Sequence, residues 1–535
     1  MRRWNGWGEE EIHVPLPTGA AEFLNQRVGP ALGPGLTVSL EDSLSRVPEP
    51  RLRLPSDSRL DTTPEARLRH ARGQSLSDWI ELRSGTVTSF PDAVAYPETS
   101  DDVRALYALA RATGAVLLPY GGGTSVVGHL TPPETDRPVL SVDLSRLSAL
   151  TRFDEASRLA TFGAGVAGPA LEAQLAPLGY MLGHYPQSFE YATLGGWVVT
   201  RSSGQQSLGF GRIEDLFAGG TLESPAGALY LPPLPASAAG PDLRHLVLGS
   251  EGRMGILSSV TVRVVPRYEK ETFVAVFLPS FEEALSALSS IAQSGLPLSM
   301  ARLSNPTETV TNLALAGHPR LIGNVERYLR FRSVSEGKCL LLLGSSRAGG
   351  TRALRDALGL AKDQGGVSLG TSLGKAWKKG RFRAPYLRNS LWDAGYAVDT
   401  LETATTWDNV PRLHDAIEKA LREALVPEGE RVHVFTHVSH VYSSGSSLYT
   451  TYVYRLAADP AVTLARWRKL KGAASAAIVA HGGTISHQHG VGKDHAPYLA
   501  AEKGPLGMST LANAISHFDP EGLLATGNLM PPKEP

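Results

Sequence analysis

"PYGGGTSVVGH", residues 119–129, is the stretch on which the reading of the fold turns. The apolar run "AVLLPY" leads into it and reads as a strand. Three successive glycines, followed by Thr124 and Ser125, remove side-chain bulk and present several backbone N–H groups. Such a loop suits a pyrophosphate, whose oxygens accept from main-chain donors. The spacing matches neither G-x-G-x-x-G nor G-x-x-x-x-G-K-[ST], so neither the Rossmann fingerprint nor the P-loop applies. Taken alone, the loop fits a tight strand-to-helix connection equally well.

Working outward, "AVAYP" and "AVLLPY" flank "ETSDDVRALYALARATG", which has apolar residues at helical spacing, a Ser/Asp start and a Gly stop. That is a βαβ unit. "PVLSVDLSRL", "RLATFGAGV" and "GPALEAQLAPLG" continue the alternation, and "GILSSVTVRVVP" reads as a strand pair. Residues 89–268 therefore form one domain. Residues 1–88, rich in Pro, Arg and Ser, read as an N-terminal extension that wraps the body. Strand, helix and strand character resumes at "KETFVAVFLPSFEEALSALSSIAQSG". It continues through "KCLLLLGSS" and "RVHVFTHVSHVYSSGSSLYTTYVYR", giving a second domain over 269–480 and a C-terminal segment over 481–535.

The bulk numbers bound the function. A chain of 535 residues, 42% hydrophobic and 19% charged, is a packed protein of two or three domains. Lys+Arg and Asp+Glu both number 52, which gives no argument for nucleic-acid binding. The single cysteine, Cys339, lies in an apolar run that reads as a buried strand. Intrachain disulfides and cysteine-based zinc or iron–sulfur sites are thereby excluded. No apolar run reaches the ~18–20 residues of a membrane span. The N-terminus lacks the apolar core of a secretory signal, and "MPPKEP" is no peroxisomal tripeptide. The expectation is a cytoplasmic protein, with peripheral membrane contact left open.

Histidines cluster late in the chain. His437, His440, His487 and His489 lie close together in sequence, among Tyr442, Tyr449, Tyr452 and Tyr454. His437-x-x-His440 and His487-x-His489 have spacings that adjacent strands bring to a metal. No carboxylate completes the set locally, so the expectation is no metal. Strand alternation puts Ser447 and Thr451 on the face of Tyr449.

Two further glycine clusters follow the first, in "ATLGGWVVTRSSGQQSLGFGRIEDL" (192–216) and "LVLGSEGRMGILSSVTVRV" (246–264). In this order and with these gaps, the three segments resemble the FAD-binding domain of the vanillyl-alcohol oxidase/p-cresol methylhydroxylase superfamily. "RRWNGWG" (2–8), "RHARGQSL" (69–76), "GHYPQSFEYATLGGWVVTRSSG" (183–204) and "RIEDL" (212–216) narrow the resemblance. So do "ARLSN" (301–305), "LETATTWDNV" (401–410) and "SHQHGVGK" (486–493). Together they are similar to the alkyldihydroxyacetonephosphate synthase branch over nearly the whole chain. The fold implied is α+β: a two-subdomain FAD-binding domain of that type, plus an α+β cap (substrate) domain with an antiparallel sheet.

The resemblance implies a transferase. It exchanges the acyl group of 1-acyl-dihydroxyacetone phosphate for a long-chain fatty alcohol, releasing a fatty acid with no net redox change. It implies noncovalent FAD, a homodimer and peripheral membrane contact. The alternative is an FAD-dependent oxidoreductase acting on a 2-hydroxy acid such as D-lactate or glycolate. Matched residue by residue, Arg388 is the phosphate-binding arginine and Arg302 a second active-site arginine. Tyr449 is the acid/base tyrosine, and Thr400 stands where the family has serine. His487 and His489 match two of three consecutive histidines, with Gln488 at the middle position. A phenol titrates near ~10, so Tyr449 serves as a base only if a nearby cation lowers it, and neighbouring arginines and the histidine cluster are candidates to do so. The implied cofactor contacts come in three groups. The first is Pro119, Gly121, Gly122, Gly123, Thr124 and Ser125. The second is His184, Pro186, Thr193, Gly195, Gly196, Thr200, Ser203 and Gly204. The third is Glu251, Gly252, Gly255 and Ile256. Residues 306–335 read either as a membrane-facing segment or as a helix pair of the cap.

Overall fold

The computed structural model describes residues 1–52, 57–268, 270–315, 319–346, 349–524 and 526–530. The first 88 residues run across both halves of the molecule. Helix α1 (Ala20–Val28) packs Leu24 and Val28 against Tyr396 and Val453, far along the chain. Strand β1 (Leu60–Asp61) pairs antiparallel with β2 (Ala93–Ala95), so this region also contributes to a sheet. Helix α2 (Leu76–Ser84) starts at a capping box formed by Ser75 and Asp78 and stops at Gly85, whose φ of 70° terminates the turn.

Strands β3 (Val116–Tyr120) and β4 (Val139–Asp143) complete a four-stranded sheet of order β1-β2-β4-β3. Its pairings of β2 and β3 with β4 are parallel. Helix α3 (Ser100–Thr113) is the crossover, capped by Thr99 and Asp102 and ended by Gly114. The glycine loop leaves the carboxyl end of β3, where open parallel sheets place their ligands.

A second, antiparallel sheet follows. Its strands are β5 (Leu150–Asp154), β6 (Leu159–Gly163), β7 (Phe217–Ser224), β8 (Gly227–Leu231) and β9 (Ile256–Arg263), in the order β5-β6-β9-β7-β8. Helix α4 (Leu194–Thr200) buries Leu194, Trp197 and Val198 in the same core as Phe162, Val260 and Val262.

The third sheet has seven antiparallel strands. They are β10 (Thr272–Leu278), β11 (Met300–Ser304), β12 (Cys339–Ser345), β13 (Val367–Ser368), β14 (Tyr396–Thr406), β15 (His433–Val441) and β16 (Gly445–Arg455), in the order β13-β10-β12-β11-β15-β16-β14. Cys339 is buried at the start of β12, and burial pushes its thiol up to about 12. One face of the sheet is sealed by helices α5 (Phe281–Gln293), α8 (Val410–Ala424) and α9 (Pro460–Ala480), through Leu288, Ile291, Leu413, Ile417 and Leu470. The other face carries α6 (Pro306–Leu315) and α7 (Ala384–Asp393). Of the segment 306–335, α6 and the helix Pro319–Phe331 are a helix pair, while residues 316–318 lie outside the described residues.

The chain then returns to its first half. Helix α10 (Ala496–Phe518), kinked where Gly504 takes φ 64° ahead of Pro505, sends Ile515 into the core of the second sheet. Leu523 and Leu524 join the core of the first sheet, and the Leu117 amide donates to the Leu523 carbonyl at 2.7 Å.

Candidate active site

A cavity of about 690 Å³ lies between the glycine loop and the open face of the seven-stranded sheet. Pro119, Gly121, Gly122, Gly123, Thr124 and Ser125 form its first wall. The loop has no room for side chains on its far side: a Cβ on Gly122 would run into the Tyr191 carbonyl oxygen, and one on Gly123 into the Tyr120 hydroxyl. Gly123 also takes φ 67°, a conformation that favours glycine. Among the described residues, the amides of Gly122, Gly123 and Thr124 have no protein acceptor. Bare backbone donors on a cavity wall are what a dinucleotide pyrophosphate requires, so the residues fit FAD. Gly122→Ala is expected to cost about 1–3 kcal/mol by overpacking and to strip the flavin. The flavin-to-protein absorbance ratio and the melting temperature check both effects.

The second wall comes from α4 and its approach. Thr193 caps the helix, its hydroxyl accepting from the Gly196 amide at 3.3 Å. Pro186, Thr193, Gly195, Gly196, Thr200 and Ser203 line the cavity. His184 and Gly204 do not. His184 is 1% exposed, packs edge-on against Trp197 and pairs with the Ser202 hydroxyl at 3.0 Å. Burial pushes its imidazole down to about 3, so it is a neutral core residue behind the wall. Gly204 presses on the backbone of Tyr185.

Glu251, Gly252, Gly255 and Ile256 make the third wall. Glu251, in a left-handed backbone conformation with φ 51°, accepts from the amides of Val491 and, at 2.9 Å, Gly492. It also pairs with His129 at 3.0 Å, whose other ring nitrogen meets the Ser125 hydroxyl at 2.6 Å. One buried network thus ties the glycine loop to the C-terminal histidine segment.

The opposite wall is the sheet face, and strand register orders it into rows. His437, Tyr449 and Glu402 stand directly opposite one another across β15, β16 and β14. The next row holds Phe435, Thr451 and Thr400, and the next His433, Val453 and Val398. The cavity accordingly has a polar end and an apolar end. Leu16, Phe23, Leu24, Leu315, Leu387 and Leu391 extend the apolar end beyond Val398 and Val453.

At the polar end, Tyr449 donates to the Thr400 hydroxyl at 3.1 Å and stacks on His437, with ring centroids 4.8 Å apart. Burial pushes its phenol well up, and the opposing influences of Thr400 and Arg388 do not overcome it. The condition for a basic Tyr449, lowering by neighbouring cations, is not met here: burial outweighs them and the phenol rests protonated. Arg302 donates to Glu308 at 2.7 Å, and His437 pairs with the same carboxylate at 3.0 Å. Burial alone would raise Glu308, but Arg302 and His437 outweigh it and hold the carboxyl at about 2.

Arg388 projects from α7 onto the face of Trp79, 4.3 Å from its ring centre. One terminal nitrogen donates to the Gln74 carbonyl, while Nε and Nη2 are buried with no partner. A buried guanidinium with two idle donors is costly unless an anion completes it.

The histidine loop closes the polar end. His489 and Gln488 line the cavity, whereas His487 sits behind it, bonded to Arg212 and, at 2.6 Å, to the Tyr442 hydroxyl. Burial pushes the imidazoles of His487 and His489 down, against the pull of Glu402. Between them is Glu402, 0% exposed, which accepts from the Gln488 amide at 2.5 Å. Burial by itself would raise Glu402, but the facing His489 and His487 outweigh it and hold its carboxyl low. Sequence reasoning assigned no role to Glu402, Glu308, Gln74 or Trp7. A glutamate at an inward position of an alternating strand was the available signal for Glu402. His440 also reaches the cavity, aimed there by a bulge in β15 where it takes φ 50°. His437 and His440 bond to different partners, Glu308 and the hydroxyls of Ser203 and Ser207.

Comparison with known proteins places these features in context. The profile described as "FAD binding domain" matches residues 91–230, and that of "FAD linked oxidases, C-terminal domain" matches 267–529. Alkyldihydroxyacetonephosphate synthase of Trypanosoma brucei brucei is 28% identical, over 99% of this chain and 92% of its own. The synthase of Dictyostelium discoideum is 28% identical over 99% and 93%. A solved structure of an alkyldihydroxyacetonephosphate synthase superposes with a TM-score of 0.83 at 26% identity, covering 98% of both chains.

Proposed function

Because the chain belongs to the alkyldihydroxyacetonephosphate synthase family of FAD-linked oxidases, we propose that it exchanges the acyl chain of 1-acyl-dihydroxyacetone phosphate for a long-chain fatty alcohol. The products are 1-alkyl-dihydroxyacetone phosphate and a fatty acid. The observation that carries the reading is the joining, in one cavity, of the glycine loop, the half-satisfied guanidinium of Arg388, Tyr449 and an apolar arm. A small 2-hydroxy acid has no use for that arm, nor for a second anion site beyond its own carboxylate.

The residues divide the work by chemistry. Bound FAD supplies the electrophilic ring system on which the exchange depends. Arg388 takes the phosphate monoester through its free nitrogens. Tyr449 moves a proton at C1, with Thr400 orienting its hydroxyl. Thr451, Val398 and the leucines beyond them shelter the alkyl chain and keep water from competing with the alcohol. Arg302 and His489 assist where the carboxylate leaves, and Glu402 holds the histidine loop in register. FAD is held noncovalently: Cys339 lies in β12 away from the cavity, and His129 is engaged by Ser125 and Glu251.

We divide the chain into the extension 1–88, a flavin domain 89–268, a substrate domain 269–480 and the returning segment 481–535. The same reading includes a homodimer that meets a membrane peripherally. Supporting it, no helix among the described residues is long and apolar enough to cross a membrane, yet Phe331 stands 84% exposed at the end of its helix.

The test is direct. Purified protein is given palmitoyl-dihydroxyacetone phosphate and labelled hexadecanol, and the labelled alkyl ether is measured. Ether formation without oxygen consumption is the expected result. No ether, together with flavin bleaching by D-2-hydroxy acids, would assign the oxidoreductase activity instead.

A further inference from the structure

The N-terminal strap carries a polar atom that nothing in the protein satisfies. Trp7 is 5% exposed and lines the cavity, yet its indole N–H is buried without an acceptor. Its main chain is fully engaged: the Trp7 amide donates to Asn389 Oδ1 at 3.2 Å, and Asn389 Nδ2 donates to the Trp7 carbonyl at 2.9 Å. The ring packs edge-on against Tyr191, 5.4 Å between centroids.

This strap is seated with little freedom. A Cβ on Gly6 would meet Asn389 Oδ1, and Gly8, at φ 86°, leaves no room for one against the Tyr386 ring. Both neighbours are on α7, beside Arg388. Gln74 links the same parts, donating to the Gly6 carbonyl at 3.3 Å, accepting from Trp79 at 2.8 Å through its side chain and from Arg388 at its carbonyl. Trp7 and Arg388 are thus held by one scaffold, both line one cavity, and each carries buried donors that no protein atom satisfies. An uncharged N–H and two free guanidinium nitrogens on residues that line the same cavity are a donor set suited to a tetrahedral anion with several acceptor oxygens.

We propose that Trp7 donates its indole N–H to the phosphate group that Arg388 binds, so that residues 2–8 form part of the substrate site. The proposal rests on the phosphate reading of Arg388 given above. It also supplies a role for the strap beyond packing: seating it completes the anion site.

Holoenzyme labelled with 5-fluorotryptophan gives eight indole positions to follow by fluorine NMR, and Trp7→Phe identifies the one that matters. Dihydroxyacetone phosphate is expected to shift the Trp7 signal, and dihydroxyacetone is not. Trp7→Phe keeps an aromatic ring without the N–H and is expected to raise the Kd for dihydroxyacetone phosphate about tenfold, as for loss of one hydrogen bond to a charged group, with flavin content unchanged. A Trp7 signal that stays fixed at saturating dihydroxyacetone phosphate overturns the proposal. So does unchanged affinity in Trp7→Phe when Arg388→Met has lost binding. If neither variant weakens binding, the phosphate reading of Arg388 fails and takes this inference with it. If Trp7→Phe sheds its flavin, the titration of the wild-type holoenzyme decides.

Discussion

Tyr449→Phe is expected to give a folded, yellow protein whose acyl exchange falls by about 10²–10⁴-fold, the usual weight of a positioned proton donor. The substitution removes one oxygen and one hydrogen bond, to Thr400, from a ring otherwise held by its stack on His437. Neither contact reaches the glycine loop, so FAD stays bound. Burial raises the phenol, so the resting group is protonated. Flavin absorbance and labelled-ether formation are measured on the same sample. Loss of flavin in this variant would make Tyr449 a structural residue and remove it from the chemistry.

Arg388→Met is expected to separate binding from stability. The methionine keeps an apolar stem against Trp79 but offers no donor, so the affinity for phosphate-bearing substrate should fall by about 100-fold or more, from loss of charge-assisted hydrogen bonds. Stability without ligand should hold or rise by about 1–3 kcal/mol, because a buried, half-satisfied charge has been removed. Arg388→Lys restores the charge without the fork and is expected to recover only part of the affinity. Substrate titration and thermal melts read the two effects. An unchanged KM for acyl-dihydroxyacetone phosphate would sink the assignment.

Particular residues show how far the sequence could be read. The βαβ unit around the glycine loop was legible because its signals are local: helical spacing within 100–113, a capping residue before it and Gly114 after it. Gly121 to Gly123 were legible because three adjacent glycines leave little besides backbone to act. His184 was not, since a histidine beside matched residues gives no sign of which side of a wall its ring occupies. The placement of His487 behind the cavity was illegible for the same reason, one position of a loop separating it from the cavity-lining Gln488. The protonation of Tyr449 was not legible because sequence shows the cations nearby but not the burial that outweighs them.

What the sequence determined by itself was the fold class, the local elements around the glycine loop and the FAD cofactor. These depend on interactions between residues a few positions apart, where spacing fixes geometry. Only the tertiary structure decided which of those residues meet. Glu402 faces Tyr449 through cross-strand register, and Trp7 reaches the surroundings of Arg388 through Asn389, 382 residues away. Pairing across strands and docking of a strap are set by how faces pack and which polar atoms they bury. No local pattern along a chain carries that information.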